Sequence, residues 1–120
     1  MSKILIVDDN HDNVLILSIL LENYGINDIV SALDGNLTKS TIDANDDLTA
    51  IFLDLSMPLS GFTIFDQIKH YDIPVFAYSV YSNFADKALA QGFSGFLEKP
   101  IKEGELEKIM ASLGYQWRSN

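Results

Sequence analysis

The sequence predicts an α/β protein built on a parallel β-sheet, and three observations support this. Short apolar runs rich in β-branched and aromatic residues alternate with longer segments of helical period. Strands that alternate with helices form a parallel sheet with helices on both faces. The 120-residue length suits one domain, and the sequence contains no cysteine. A chain of this size can bury a core without disulfides.

Five apolar runs are predicted as buried strands because they are short and most contain β-branched or aromatic residues. In chain order they cover residues 4–7, 29–30, 51–55, 74–78 and 93–97. No low-complexity tract or internal repeat interrupts the alternation. The runs therefore predict five strands within one sheet.

Five helices are predicted around these strands. Asn10 can cap the first, which stops at Gly25, and residues 35–45 form the second despite few apolar residues. The other three are marked by apolar residues at helical spacing. These are Ile64 and Ile68, then Ala85, Ala88 and Leu89 between a start at Ser82 or Asn83 and a stop at Gly92, and finally Leu106, Ile109, Met110 and Leu113.

Charge and the first residues bear on location. The formal net charge of -9 opposes binding to phosphate backbones and anionic lipids. The first apolar run ends at Asp8 and Asp9, so it is too short for a signal-peptide core or a membrane span. We expect a cytoplasmic protein that contacts neither nucleic acid nor membrane.

Polar residues follow or end four of the predicted strands. They are Asp8 and Asp9, Asp54, Ser79, and Lys99. Each alone has a structural explanation, such as a turn, a cap or a surface charge. Burying the Asp54 carboxylate in an apolar run, however, costs several kcal/mol unless it is paired. Because ligands bind beyond the carboxyl ends of parallel strands, we interpret these residues together as one site.

The residue types at this edge fit phosphoryl transfer. Clustered carboxylates repel one another, and Mg²⁺ relieves that repulsion through a few protein oxygens while keeping several waters. Phosphoryl transfer needs a metal ion and donors to the phosphoryl oxygens, and Ser79 and Lys99 are suitable donors. A carboxylate can then act as the nucleophile and form an acyl phosphate.

Five segments in order resemble the receiver domain of bacterial two-component response regulators, of the chemotaxis-receiver type. They are residues 3–9, 32–35, 53–58, 73–79 and 92–100. Each is weak alone, but their order and spacing are specific. The resemblance spans essentially the whole chain. It implies a flavodoxin-like, doubly wound parallel sheet of five strands in the order 2-1-3-4-5, with five helices.

The resemblance also implies roles for particular residues. Asp54 resembles the phosphoacceptor, and Asp8 and Asp9 resemble the acid pair of the Mg²⁺ site. The backbone carbonyl of Ser56 would be a further metal ligand. Lys99 would contact the phosphoryl group.

Three positions have implied roles in switching or backbone geometry. The Ser79 side chain would move toward the phosphoryl group when Asp54 is phosphorylated. Phe96 takes the place of the aromatic residue whose rotamer reports the state of Ser79. Pro100 would follow a cis peptide bond, which is accessible to proline.

The implied protein is a stand-alone response regulator, with residues 1–120 as a single receiver domain and no output domain. It would accept its phosphoryl group from a histidine kinase or a phosphotransfer protein. It would signal to a downstream protein through altered contacts and would not be an enzyme. Receivers usually make such contacts near the fourth and fifth helices, where we expect Tyr78, Tyr81, Phe96 and Ile101.

Two departures from the receiver pattern concern the lifetime of the phosphoryl group. The segment 57–61 places its glycine one residue closer to Asp54 than is usual and lacks the common preceding aspartate. Tyr81 stands two residues after Ser79, where a ring could hinder an attacking water.

Two other functions stay open. A haloacid-dehalogenase-like phosphatase also uses an aspartyl nucleophile, but it needs a second aspartate where this chain has Ser56. A degenerate receiver would bind proteins independently of phosphorylation.

Overall fold

The computed structural model describes residues 3–117, in which strands and helices alternate. The elements are β1 (Lys3–Val7), α1 (His11–Glu22), β2 (Asp28–Ala32), α2 (Thr38–Asp43), β3 (Leu48–Asp54), α3 (Gly61–Ile68), β4 (Val75–Ser79), α4 (Ala85–Gln91), β5 (Gly95–Glu98) and α5 (Glu103–Ser112). All strand pairs are parallel, in the order β2-β1-β3-β4-β5. The predicted flavodoxin-like fold is confirmed.

Alternating side chains along the strands divide the interior into two cores. Leu5, Leu53 and Ala77 face one core, which α2, α3 and α4 cover. Ile6 and Phe52 face the other core, which α1 and α5 cover. Burial on both faces explains why the central strands read as almost continuous apolar runs.

The helix ends follow the predicted signals. The side chain of Asn10 accepts a hydrogen bond from the backbone N–H of Asn13 and caps α1. Gly92 ends α4 with φ of 119°, a conformation that favours glycine. The predicted segment 35–45 becomes a 3-10 turn, Gly35–Leu37, followed by the short α2.

Two details differ from the sequence-based expectation. Leu89 belongs to the apolar set that marked α4, yet it is exposed, and of that set only Ala88 is fully buried. Phe93 precedes β5 and packs in the core on the α3 side. Among residues 3–117, every helix is too short or too polar to cross a bilayer.

Candidate functional site at the carboxyl edge of the sheet

The ends of β1 and β3 bring two aspartates together. Val7 pairs with Leu53, so Asp8 and Asp54 occupy neighbouring positions at the carboxyl ends of adjacent strands. Both continue the alternation that faces α1 and α5. Asp8 is fully buried and Asp54 is 3% exposed, so neither carboxylate is compensated by bulk solvent.

Asp9 joins this pair from the start of the following loop. One carboxylate oxygen from each of Asp8, Asp9 and Asp54 lies within 4.8 Å of the other two, and Asp9 is exposed. Three hard oxygen donors at one open edge are a donor set that suits Mg²⁺, whose remaining positions are filled by water. The arrangement fits a divalent cation that enters from the side of Asp9.

Lys99 supplies the positive charge of the site. Its Nζ lies 3.3 Å from Asp8 Oδ2 and 3.3 Å from Asp54 Oδ1. Its backbone N–H donates to the carbonyl of Ser79, and the Lys99–Pro100 peptide bond is cis. The ammonium is therefore shared equally between two buried carboxylates.

Asp54 is held in an environment that disfavours its ionised form. Burial raises the pKa of Asp54 most strongly, and the neighbouring Asp8 carboxylate raises it further. The backbone N–H of Ser56, 3.0 Å from Asp54 Oδ1, and the Lys99 ammonium oppose that rise in pKa. A cation bound beside Asp54 would therefore stabilise its ionised form.

A chain of hydrogen bonds connects Ser79 to its surroundings. Ser79 Oγ lies 3.3 Å from Ser56 Oγ and accepts a hydrogen bond of 3.0 Å from the backbone N–H of Tyr81. Ser79 is fully buried. Its hydroxyl therefore occupies the region between β3 and the loop after β4.

Tyr78 is a member of the site that the sequence reasoning placed elsewhere. It was expected on the contact surface near the fourth and fifth helices, but it is fully buried. Its hydroxyl donates a 2.6 Å hydrogen bond to Asp8 Oδ2, and its ring centroid lies 4.4 Å from Lys99 Nζ. Burial, followed by the Asp8 charge, raises the pKa of Tyr78. The missed signal was register, because Tyr78 pairs directly with Asp54.

The shortened segment after Asp54 ends in a close backbone contact. A Cβ on Gly61 would lie 2.5 Å from the carbonyl oxygen of Asp54, so only glycine fits there. Ser60, at the position where receivers often have aspartate, caps α3 by accepting a 3.2 Å hydrogen bond from the Phe62 N–H. The shorter loop is closed by an alternative cap and keeps the Ser56–Asp54 hydrogen bond.

The remaining residues of the expected contact surface are unequally exposed. Tyr81 is 54% exposed, whereas Phe96 and Ile101 are partly buried against the two cores. A second group of exposed apolar side chains, which the sequence reasoning missed, lies on α1. Its members Leu15, Ile16 and Ile19 are each more than half exposed.

A doubly wound sheet whose carboxyl edge gathers three aspartates and a lysine defines a signalling receiver. The family model for the response regulator receiver domain matches residues 4–111, and the chain belongs to that family. Receiver domains are signalling modules that bind Mg²⁺ at an acidic pocket and interact with histidine kinases or phosphotransfer proteins. In this chain the acidic group is Asp8, Asp9 and Asp54.

Known proteins of related sequence and structure agree with this assignment. Hybrid signal transduction histidine kinase L of Dictyostelium discoideum is 33% identical over 95% of this chain, which spans only 7% of that protein. The receiver domain of Ssk1, crystallised with the phosphotransfer protein Ypd1 of Saccharomyces cerevisiae, is 26% identical with a TM-score of 0.80, covering 93% of this chain and 88% of that one. A chain in the crystal structure of the CheX–CheY–BeF3–Mg complex from Borrelia burgdorferi is 26% identical to this chain. Its TM-score is 0.81, and the match covers 92% of this chain and 87% of that one.

Proposed function

We propose that this receiver domain accepts a phosphoryl group on Asp54 in a Mg²⁺-dependent reaction. The observation that carries the proposal is the shared ammonium of Lys99, 3.3 Å from both Asp54 and Asp8 in a buried acid cluster. A purely structural ion pair would not need a third carboxylate at the open side, yet Asp9 is there.

The proposed reaction moves a phosphoryl group from nitrogen to oxygen. Asp54 Oδ forms a bond to phosphorus while the N–P bond of a donor phosphohistidine breaks and its electron pair returns to the imidazole. The product is an acyl phosphate. Lys99 donates to the phosphoryl oxygens in place of the Asp54 carboxylate. Ser79, whose Oγ lies 3.3 Å from Ser56 Oγ, would add a neutral donor.

The metal ligands in this proposal are Asp8, Asp9, Asp54 and the backbone carbonyl of Ser56. The contribution of Mg²⁺ when bound is to neutralise charge on the phosphoryl oxygens. The spacing of the three carboxylate oxygens supports this donor set. So does the related receiver from Borrelia burgdorferi, whose complex contains Mg²⁺ and beryllofluoride.

The donor would be a histidine kinase or a phosphotransfer protein, as in the Ypd1 complex of the related Ssk1 receiver. A protein donor has to cover the edge where Asp54 lies. α1 begins at that edge with His11, two residues after Asp9, and presents the exposed Leu15, Ile16 and Ile19. We assign these three side chains to the contact with the donor, in a cytoplasmic reaction without nucleic acid or membrane.

The output of the proposed switch passes through Ser79 and Phe96 to a downstream protein. Ala77 pairs with Phe96 and Ser79 pairs with Glu98, so Ser79 and Phe96 lie on the same face of neighbouring strands. A hydroxyl that moves toward the phosphoryl group leaves space that the half-buried Phe96 ring can enter. The surface between α4 and α5, which Phe96 lines together with Ser82 and Lys102, would then change.

Labelling with a small acyl phosphate in the presence of Mg²⁺ tests the acceptor. Asp54→Asn should lose all label, whereas the exposed Asp47→Asn should retain it. Absence of label in the wild type would favour the degenerate receiver that acts by binding alone. Steady turnover of a separate substrate would favour the phosphatase.

A phosphorylated protein donor tests the α1 contact within the same experiment. Ile16→Glu should slow transfer from the protein donor and leave labelling by the small donor unchanged, because Ile16 is exposed and is none of the proposed metal or phosphoryl ligands. Leu89→Glu, on the exposed side of α4, is the matched control. Equal transfer rates for Ile16→Glu and the control would contradict the assignment of α1.

A further inference from the structure

We propose that Tyr78 is a positioning residue for this site, which holds Asp8 with its hydroxyl and Lys99 with its ring. The role deepens the proposed function and rests on it only for the consequence on Mg²⁺ binding. Tyr78 touches both the acid side and the cationic side of the cluster, although it belongs to neither the acceptor nor the acid group.

The Tyr78 hydroxyl completes the set of hydrogen bonds to the buried Asp8 carboxylate. Asp8 Oδ1 accepts a 2.9 Å hydrogen bond from the backbone N–H of Asn10. Asp8 Oδ2 accepts from Tyr78 at 2.6 Å and from Lys99 at 3.3 Å. Because Asp8 is fully buried, these donors replace the water that an ionised carboxylate needs. The shortest of the three is the bond from Tyr78.

The ring contact fixes the ammonium between the two aspartates. Lys99 Nζ lies 4.4 Å from the Tyr78 ring centroid, within the range of a cation–π interaction. The same ammonium is 3.3 Å from Asp54 Oδ1. The aromatic face thus supports Lys99 at the point from which it serves either carboxylate.

Together the contacts allow Lys99 to be released from Asp8 without leaving Asp8 unsatisfied. When Asp54 carries a phosphoryl group, Lys99 is drawn to the added negative charge. The neutral Tyr78 hydroxyl then remains as the donor to Asp8 Oδ2. A lysine alone would have to serve both carboxylates, and a leucine or valine in place of Tyr78 would supply neither contact.

The decisive experiment compares two variants of Tyr78 with a matched control. Tyr78→Phe removes the hydroxyl and keeps the ring, while Tyr78→Leu removes both. Tyr71→Phe removes a tyrosine hydroxyl from another aspartate, Asp43, at an exposed pair away from the site. In metal-free protein, the readouts are the carboxyl carbon signal of Asp8 and the ring-current shift of the Lys99 side-chain protons, followed by NMR. Mg²⁺ affinity is then measured by titration of the amide signals.

Tyr78→Phe should displace the Asp8 carboxyl signal, keep the Lys99 ring-current shift and weaken Mg²⁺ binding by about tenfold, as for other partners that orient metal ligands. Tyr78→Leu should also lose the ring-current shift. Tyr71→Phe should change none of these. The proposal is overturned if Tyr78→Phe matches Tyr71→Phe in the Asp8 signal, or binds Mg²⁺ as tightly as wild type. If wild type binds no Mg²⁺, the proposed function fails, while the metal-free signals still decide whether Tyr78 holds Asp8 and Lys99.

Discussion

Two groups of one lysine and two aspartates lie at opposite edges of the same sheet and behave differently. At the amino edge, Lys3 Nζ is 3.1 Å from Asp47 and 4.0 Å from Asp28, and those carboxylate side chains are 54% and 46% exposed. At the carboxyl edge, Lys99 is 3.3 Å from both Asp8 and Asp54, whose side chains are 0% and 4% exposed. The residue types and distances are alike, and solvent access separates the two groups.

The difference in burial reverses the effect on the acid. The hydrogen bond from Lys3 lowers the pKa of Asp47, since water already compensates that carboxylate and the lysine adds to it. Burial raises the pKa of Asp54 in spite of Lys99. An exposed ion pair of this kind contributes little to stability. The buried group carries more negative than positive charge, so a cation would reduce the repulsion between its carboxylates.

The largest expected effect comes from removing each lysine in turn. Lys99→Ala should fold and yet bind beryllofluoride with Mg²⁺ about 10- to 100-fold more weakly, because a hydrogen bond to a charged group contributes about 1.5–3 kcal/mol. Lys3→Ala should bind the phosphoryl analogue like wild type. Amide NMR titrations measure both affinities. Loss of the fold in Lys99→Ala would indicate a structural ion pair instead.

The effect of Mg²⁺ on the free energy of unfolding should also distinguish the two groups, with a somewhat smaller difference than the lysine substitutions. At ten times its dissociation constant, Mg²⁺ should raise the free energy of unfolding by about 1.4 kcal/mol. Asp9→Ala should abolish this gain and Asp47→Ala should keep it. Urea unfolding followed by Trp117 fluorescence measures it. Trp117 packs on Tyr24 beyond the far end of α1, so it reports unfolding better than metal binding. A full gain in Asp9→Ala would remove Asp9 from the metal site.

The smallest effect is an opposite dependence of stability on pH. In metal-free protein at neutral pH, Asp54→Asn should raise the free energy of unfolding, by about 1 kcal/mol, because it removes a buried charge that lacks full compensation. Since folding raises the pKa of Asp54, this gain should fade as the pH falls through the folded pKa toward the ordinary aspartate pKa of 3.8.

Asp47→Asn should show the reverse sign. Folding lowers the pKa of Asp47, so its charge stabilises the fold at neutral pH, and the loss on substitution should fade only as the pH falls below the ordinary aspartate pKa of 3.8. Urea unfolding midpoints over a pH series measure both differences. Differences of the same sign in the two variants would mean that burial does not distinguish the groups.

Periodicity explains why most of the fold and the site acids could be predicted. Strand-end residues of a parallel sheet meet at one edge, so Asp8, Asp54, Ser79 and Lys99 could be placed together from sequence alone. The pairing of β3 with β4 could not be read at single-residue precision, and Tyr78 was therefore misplaced. The exposed face of α1 was missed because its apolar residues continue around the helix, beyond the buried Val14, Leu17 and Leu21.

The shortened loop was recognised, but its path depends on contacts that the sequence does not reveal. Ser60 caps α3 with its hydroxyl at the position where receivers often have aspartate, and Gly61 lies against the backbone of Asp54 and Leu55. Local spacing identified a missing residue. Only the packing shows that the loop retains the hydrogen bond from Ser56 to Asp54.

The hydrogen bond between Tyr78 and Asp8 spans 70 positions of the chain and crosses the middle strand of the sheet. It can form only when β1, β3 and β4 have all found their native register, because a slip of one residue would turn the Tyr78 side chain to the other face. In a refolding experiment, the environment of this single hydroxyl would mark the moment at which the central sheet is complete. A signal from the Tyr78 hydroxyl would thus report native pairing of the central strands, independently of phosphorylation.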